Sequence, residues 1–347
     1  MNKLLTEILF YDTAKNRFVV EEKNQNYLKE LNNADWHGRN PPQKKEAFYL
    51  EKEIKDFHEL DFGENKTIVL AKRYSPHNAA HLFIETAIPI ENKFNFFNIP
   101  NENRVIIFND YCFDDSIFWF EGDGDTRRNM AKKHSRAHLS PMGEVIYNFK
   151  QFASNQSEKR YLKFKNNILF GIGGVSPWVC GSHWNDRDIG PVLDSLVEKI
   201  YNYHDVSPKE QDTLTFLYKH GRRSIINYEE VGELLQKKAV NAGLRYECAN
   251  LEKINIKQQL QILSRTKIFV SVGGSTSFSS FLIPHKKIKF LYFPLKDNIF
   301  ESHLFRRFHD RFDFEDYSNL KPQWGGDIQR KDGSFLVDLS KLNKFNF

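Results

Sequence analysis

The chain has 347 residues, 40% hydrophobic and 27% charged, with Lys+Arg 50 against Asp+Glu 45 and a formal net charge of +5. This balance argues against a disordered chain and against a dedicated nucleic-acid binder, and the length fits two domains at roughly 100–200 residues each. The three cysteines, Cys112, Cys180 and Cys248, form no CxxC pair, so reduced thiols in a cytoplasmic protein are expected rather than a disulfide framework or a zinc site.

The N-terminal "MNKLLTEILFYD" is too short, and with Glu7 too acidic, for a signal peptide or a membrane span. Residues 1–60 are polar, with a loop at "NPPQKK", and read as an edge extension of an N-terminal domain. "KTIVLAKRY" from Lys66 predicts a strand, and a helical stretch begins near Asn78. "NRVIIFND" (Asn103 to Asp110) and "SIFWFEGDGD" (Ser116 to Asp125) read as strands, followed by a basic stretch at Thr126 to Arg136 and a strand running into glycines at "NNILFGIGG".

Apolar residues from Ile189 to Ile200 fall at helical spacing, and the polar "SPKEQD" after them is the expected domain boundary. Beyond it the pattern alternates: strand Leu214–Tyr218, helix Glu229–Ala242, strand Arg245–Ala249, helix Ile256–Ser264, strand Lys267–Val272, loop and helix Gly273–Leu282, strand Lys289–Phe293. Such alternation predicts an α/β protein with a doubly wound C-terminal half.

Two stretches in that half carry charge or close backbone approach. "FVSVGGSTSFSSFLIP" leaves the carboxyl end of a predicted parallel strand, where open α/β sheets bind ligands. Gly273 and Gly274 let backbone come close, helix N-terminal N–H groups favour an anion, and Ser275, Thr276 and Ser277 add hydroxyls. The alternative is a tight turn with serines capping a helix. In "YKHGRRSIINYEE", Lys219, His220, Arg222 and Arg223 cluster where strand becomes loop, which suits a diphosphate, or else forms a solvated basic turn. Asp123 and Asp125 have the Asp-x-Asp form that can hold a divalent ion, although acidic-glycine turns are common. "FESHLFRRFHDRF" (Phe300 to Phe312) either packs its Phe face inside the protein or offers a peripheral membrane contact.

In order and spacing these segments resemble glycosyltransferase family 61. Arg223 and Asn227 match the family's "R-x-I-L-N" motif, "QQLQI" at Gln258 to Ile262 is similar to its "DQLRI" helix, and Ile268 to Pro284 aligns without a gap with "IFIGMHGAGLTHLLFLP". Upstream, Asn78, His81 and Glu85 match "N-x-x-H-x-x-x-D-x-L", and the strand before Gly173 and Gly174 is similar to "AVVGL". The family's loop His falls on Gly273 and its second Gly on Thr276.

The resemblance implies a GT-B fold of two Rossmann-like domains facing a cleft, with an acceptor-side domain at 1–206, a nucleotide-sugar domain at 207–320 and a tail at 321–347 returning to the first. It implies inverting transfer from a nucleoside-diphosphate sugar, UDP-GlcNAc or UDP-xylose being favoured, to a hydroxyl of a glycan, glycolipid or protein, with no metal cofactor. Arg223, Lys219, Arg222 and Asn227, with residues 273–277, would hold the donor; His81 or Glu85 would be the base; Asn78, Gly173 and Gly174 would line the cleft. A GDP-fucose-dependent enzyme and a non-catalytic sugar-nucleotide binder are the alternatives.

Overall fold

The computed structural model describes residues 4–5, 8–15, 17–26, 48–71, 78–108, 124–170, 187–221, 223–251, 253–294, 299–317 and 334–345. The chain forms two compact units, Met1–His183 and Trp184–Phe347.

The N-terminal unit contains two five-stranded sheets. In the first, Asn167–Phe170, Thr67–Ala71, Arg104–Phe108 and Glu144–Ile146 run parallel in that order, and Leu4–Leu5 pairs antiparallel at the edge. In the second the order is Phe48–Glu51, Arg17–Glu21, Leu9–Asp12, Tyr161–Phe164 and Phe57–Leu60. Residues 1–60 are therefore not an edge extension but supply four of this sheet's strands. Their alternation follows the pleat: Leu9, Tyr11, Phe18 and Val20 pack with Ile68, Leu70, Val105 and Ile107, whereas Phe10 and Val19 pack with Ile54 on the opposite face. The hairpin turn is closed by Asp12, whose Oδ1 accepts from the Ala14 and Lys15 N–H groups at 2.9 and 3.0 Å.

A continuous helical run spans Ala79–Leu82, a π-turn at Phe83–Ala87 and Ile88–Phe96. It is tied to the Arg104–Phe108 strand by a buried ion pair: Arg104 Nη1 donates to Glu91 Oε2 at 2.7 Å and Arg104 Nε to the Ile99 carbonyl at 2.8 Å. Residues 116–123, most of the strand expected at "SIFWFEGDGD", lie outside the described residues, and Asp125 is in the first turn of a helix, Gly124–His138.

The C-terminal unit has one sheet, all parallel, in the order Arg245–Asn250, Thr213–Tyr218, Thr266–Val272, Ile288–Phe293 and Phe312–Asp316. With strands counted along this unit, that is the doubly wound order 2-1-3-4-5. Helices Gly190–Tyr203, Tyr228–Asn241, Ile256–Leu263 and Ile299–Arg306 accompany it. The third of these opens on a capping box, the Asn255 side chain accepting from the Gln258 N–H while the Gln258 side chain accepts from the Asn255 N–H.

Three boundaries depart from expectation. The units divide after His183, so helix Gly190–Tyr203 belongs to the C-terminal unit; Tyr201 donates to the Leu260 carbonyl there at 3.2 Å. The described tail, residues 334–345, does not return to the N-terminal half: Phe335, Val337, Leu342 and Phe345 are buried in the C-terminal core with Leu214 and Val270. The basic-aromatic segment is not one helix, because the helix ends at Arg306 and Phe312 opens the fifth strand. Its Phe305, Phe308 and Phe312 pack against Phe281 and Phe290 in the core, mostly edge-on, which removes them from any membrane surface. No described helix is long and apolar enough to cross a membrane.

Candidate functional site

A doubly wound sheet opens a crevice where neighbouring strands send their connections in opposite directions. Here that point lies between Thr213–Tyr218 and Thr266–Val272, which pair side by side with Leu217 opposite Ser271. The loops leaving their carboxyl ends are the basic 219–223 segment and the glycine-serine 273–277 segment. The fold thus brings both sequence candidates to one place in this unit.

The basic loop is held open by backbone geometry. Gly221 and Arg223 both have positive φ, 75° and 61°; for arginine this left-handed state costs roughly 1–2 kcal/mol and must be imposed by its surroundings. The tail imposes it. Ser334 Oγ donates to the Gly221 carbonyl at 3.0 Å and accepts from the Ser224 N–H at 3.2 Å. Ile225 and Phe335 form a parallel bridge beyond it. Arg223 is exposed and makes no ion pair among the described residues, so its guanidinium is available to an anion. Lys219 is half-buried and His220 exposed, its ring edge-on to Tyr218 and Tyr228. Arg222 lies outside the described residues.

Asn227, grouped with the donor contacts by its motif position, is occupied otherwise. Its Nδ2 donates to the Val337 carbonyl and its Oδ1 accepts from the Val337 N–H, both at 2.9 Å. It clamps the tail.

The glycine-serine loop turns its donors inward. Gly273 N–H donates to the Phe293 carbonyl at 2.9 Å, and Gly274, at φ 94°, donates its N–H to Glu301 Oε2 at 2.8 Å. Ser277 Oγ lies 2.7 Å from the Gly274 carbonyl and 3.0 Å from the same Glu301 oxygen, and Tyr292 OH donates to that oxygen at 3.0 Å. Burial pushes the Glu301 carboxyl above its ordinary range, partly offset by these hydrogen bonds and by the nearby Arg223 charge. That influence links the two loops electrostatically. Thr276 and Ser280 are fully buried, and their hydroxyls have no hydrogen-bond partner among the described residues. Ser275 alone of the three loop hydroxyl residues is only half-buried. The turn after the loop is a 3-10 helix, Ser277–Leu282, too short to supply the helix dipole expected there.

In the N-terminal unit His81 and Glu85 lie on one face of the helical run. Asn78 is its N-cap, the side chain accepting from the Ala80 N–H at 3.1 Å, which is a structural task. His81 Nδ1 is 2.6 Å from Glu85 Oε2, the carboxylate being 2% and the imidazole 25% exposed. In the tautomer in which Nδ1–H donates to Glu85, the lone pair sits on Nε2, as a general base requires. Glu85 lies in the π-turn, a distortion frequent at functional sites. Gly173, Gly174 and Asp123 lie outside the described residues, as does the side chain of Asp125. Among the described residues no group of three His, Cys, Asp or Glu could hold a metal ion.

Sequence reasoning missed Glu301, Tyr292 and Ser334. The one available signal for Glu301 was an acidic side chain within an otherwise basic-aromatic helix.

No curated protein matches the chain. Residues 176–288 match the family model described as Glycosyltransferase 61, a stretch that carries the switch point and both of its loops. The match covers about a third of the chain and makes this stretch similar to glycosyltransferase family 61.

Proposed function

We propose that the protein is a GT-B glycosyltransferase that moves a sugar, with inversion, from a nucleoside-diphosphate sugar, UDP-linked by preference, to a hydroxyl of a glycan, glycolipid or protein. The observation that carries this is the exposed Arg223, held in a left-handed conformation at the switch point beside a loop of close backbone approach. A guanidinium binds phosphate oxygens bidentately and stabilises the charge that develops on a departing diphosphate. Lys219 and Ser275 assist it. No metal cofactor enters this mechanism. His81, oriented by Glu85, takes the proton of the acceptor hydroxyl as the new glycosidic bond forms and the bond to diphosphate breaks.

Turnover of a panel of UDP-, GDP- and CMP-sugars, read as nucleotide release with and without hydroxyl acceptors, tests this. Release from a UDP-sugar is the expected result, and release from GDP-fucose alone would transfer the reading to a fucosyltransferase. The occupation of Gly274 and Ser277 by Glu301 favours one further reading, a relative that binds the donor without transferring it. Nucleotide binding without turnover would establish that one, and neither binding nor turnover would end both.

A further inference from the structure

Glu301 lies near the start of helix Ile299–Arg306, within the basic-aromatic segment but outside both loops, and is 2% exposed. Three donors from two elements converge on its Oε2: the Gly274 N–H, the Ser277 hydroxyl and, from the fourth strand, the Tyr292 hydroxyl. Inward-turned glycine amides and loop hydroxyls at a strand's carboxyl end are the groups that elsewhere close around a bound anion. Here the protein supplies the anion itself. A loop built around a covalently attached carboxylate has its geometry, including the positive φ of Gly274, set before any ligand arrives.

We propose that Glu301 is a positioning residue for donor binding, an internal carboxylate that holds the 273–277 loop in its ligand-ready form and leaves the diphosphate to Arg223 and Ser275. This rests on the nucleotide-sugar reading above. Glu301 touches no reacting atom in this role. It lowers the free energy needed to order the loop, so its loss weakens donor binding and leaves turnover of bound donor nearly intact. Arg223, whose charge already acts on this carboxylate, couples the two loops.

The test compares the full-length wild type with Glu301→Ala, Glu301→Gln and Tyr292→Phe, using calorimetric binding of UDP and GDP and steady-state kinetics on whichever nucleotide-sugar is turned over. Donor KM rises about 10-fold in Glu301→Ala and about 3-fold in Glu301→Gln, which keeps chain length and one acceptor oxygen, while kcat stays within about 2-fold. Tyr292→Phe removes one donor and leaves the ring, and raises KM about 3-fold as well. A merely structural role lowers the active fraction, hence kcat, without moving KM, and that pattern overturns the proposal. If Glu301→Ala does not fold, the other two variants decide. Unchanged donor KM and nucleotide affinity in both of them, in a protein whose wild type binds UDP or GDP, overturns the role of Glu301 and leaves the nucleotide-sugar reading standing. A wild type that binds neither nucleotide overturns both.

Discussion

In the 219–223 loop Arg223 is exposed and strained into left-handed backbone, whereas the 273–277 loop, leaving the strand beside it in the sheet, turns the Gly274 amide and the Ser277 hydroxyl onto the buried Glu301. One loop offers an exposed guanidinium; in the other the Gly274 amide and the Ser277 hydroxyl are already taken, and the Thr276 hydroxyl is sealed without a partner among the described residues. Glycine and serine at a strand end therefore do not by themselves make a phosphate site, because their donors count only where nothing inside the fold has already taken them. In the proposed function the first loop would supply the charge that meets a diphosphate, and the second the shape.

The largest effect is expected from a residue in neither loop. His81→Ala should lower transfer by about 10²- to 10⁴-fold, the range for removing a general base, with UDP affinity unchanged by calorimetry. Equal losses in binding and transfer would mean that His81 supports the fold instead. Next comes the exposed loop. Arg223→Ala should weaken nucleotide binding by about 30- to 100-fold, as expected for a charge-assisted bidentate contact. Arg223→Gly serves as its control, since glycine adopts the 61° φ without strain; it should bind as weakly as the alanine variant yet be more stable to heat. If either variant binds like wild type, the division of labour between the loops is wrong.

A third test asks whether the tail is what holds the exposed loop. Asn227→Ala removes both hydrogen bonds to the Val337 backbone, at about 1 kcal/mol each, so the C-terminal unit should lose about 2 kcal/mol in urea unfolding. Donor affinity should fall less than in Arg223→Ala, since the tail shapes the loop without contacting the ligand.

How far the sequence disclosed this arrangement depended on the range of the interactions. The strands of the C-terminal sheet were readable because a parallel strand buried on both faces appears as an unbroken apolar run, as at Thr266–Val272, and their helices show a local period. The "ILFYD" stretch reads as a rejected leader within a polar extension, although its hairpin partner Arg17–Glu21 is local; its other partner, Tyr161–Phe164, lies far along the chain and spacing does not reveal it. The bond from Ser334 to Gly221 and the one from Gly274 to Glu301 are likewise invisible to spacing. Of the candidate site, the positions of Arg223 and of the His81–Glu85 pair were legible as motif and as helical i,i+4 spacing. The occupancy of Asn78, Asn227, Gly274 and Ser277 by the protein's own groups was not, since any of them could have faced a ligand until the fold assigned their partners.

The smallest effect separates hydroxyls that face a ligand from hydroxyls that are sealed. Thr276 Oγ1 is buried without a hydrogen-bond partner among the described residues, so the folded state has removed it from water and returned nothing for the loss. Val has nearly the shape of Thr and no hydroxyl to desolvate. Thr276→Val should therefore leave stability unchanged or raise it by up to about 1 kcal/mol, the lower end of the penalty for an unsatisfied buried group, measured by urea unfolding of the whole chain. A loss of more than about 1 kcal/mol would mean that the hydroxyl has a partner when the protein folds in solution. In that event the loop has a polar contact besides those on Glu301, and the account of its shape as set by that carboxylate is incomplete.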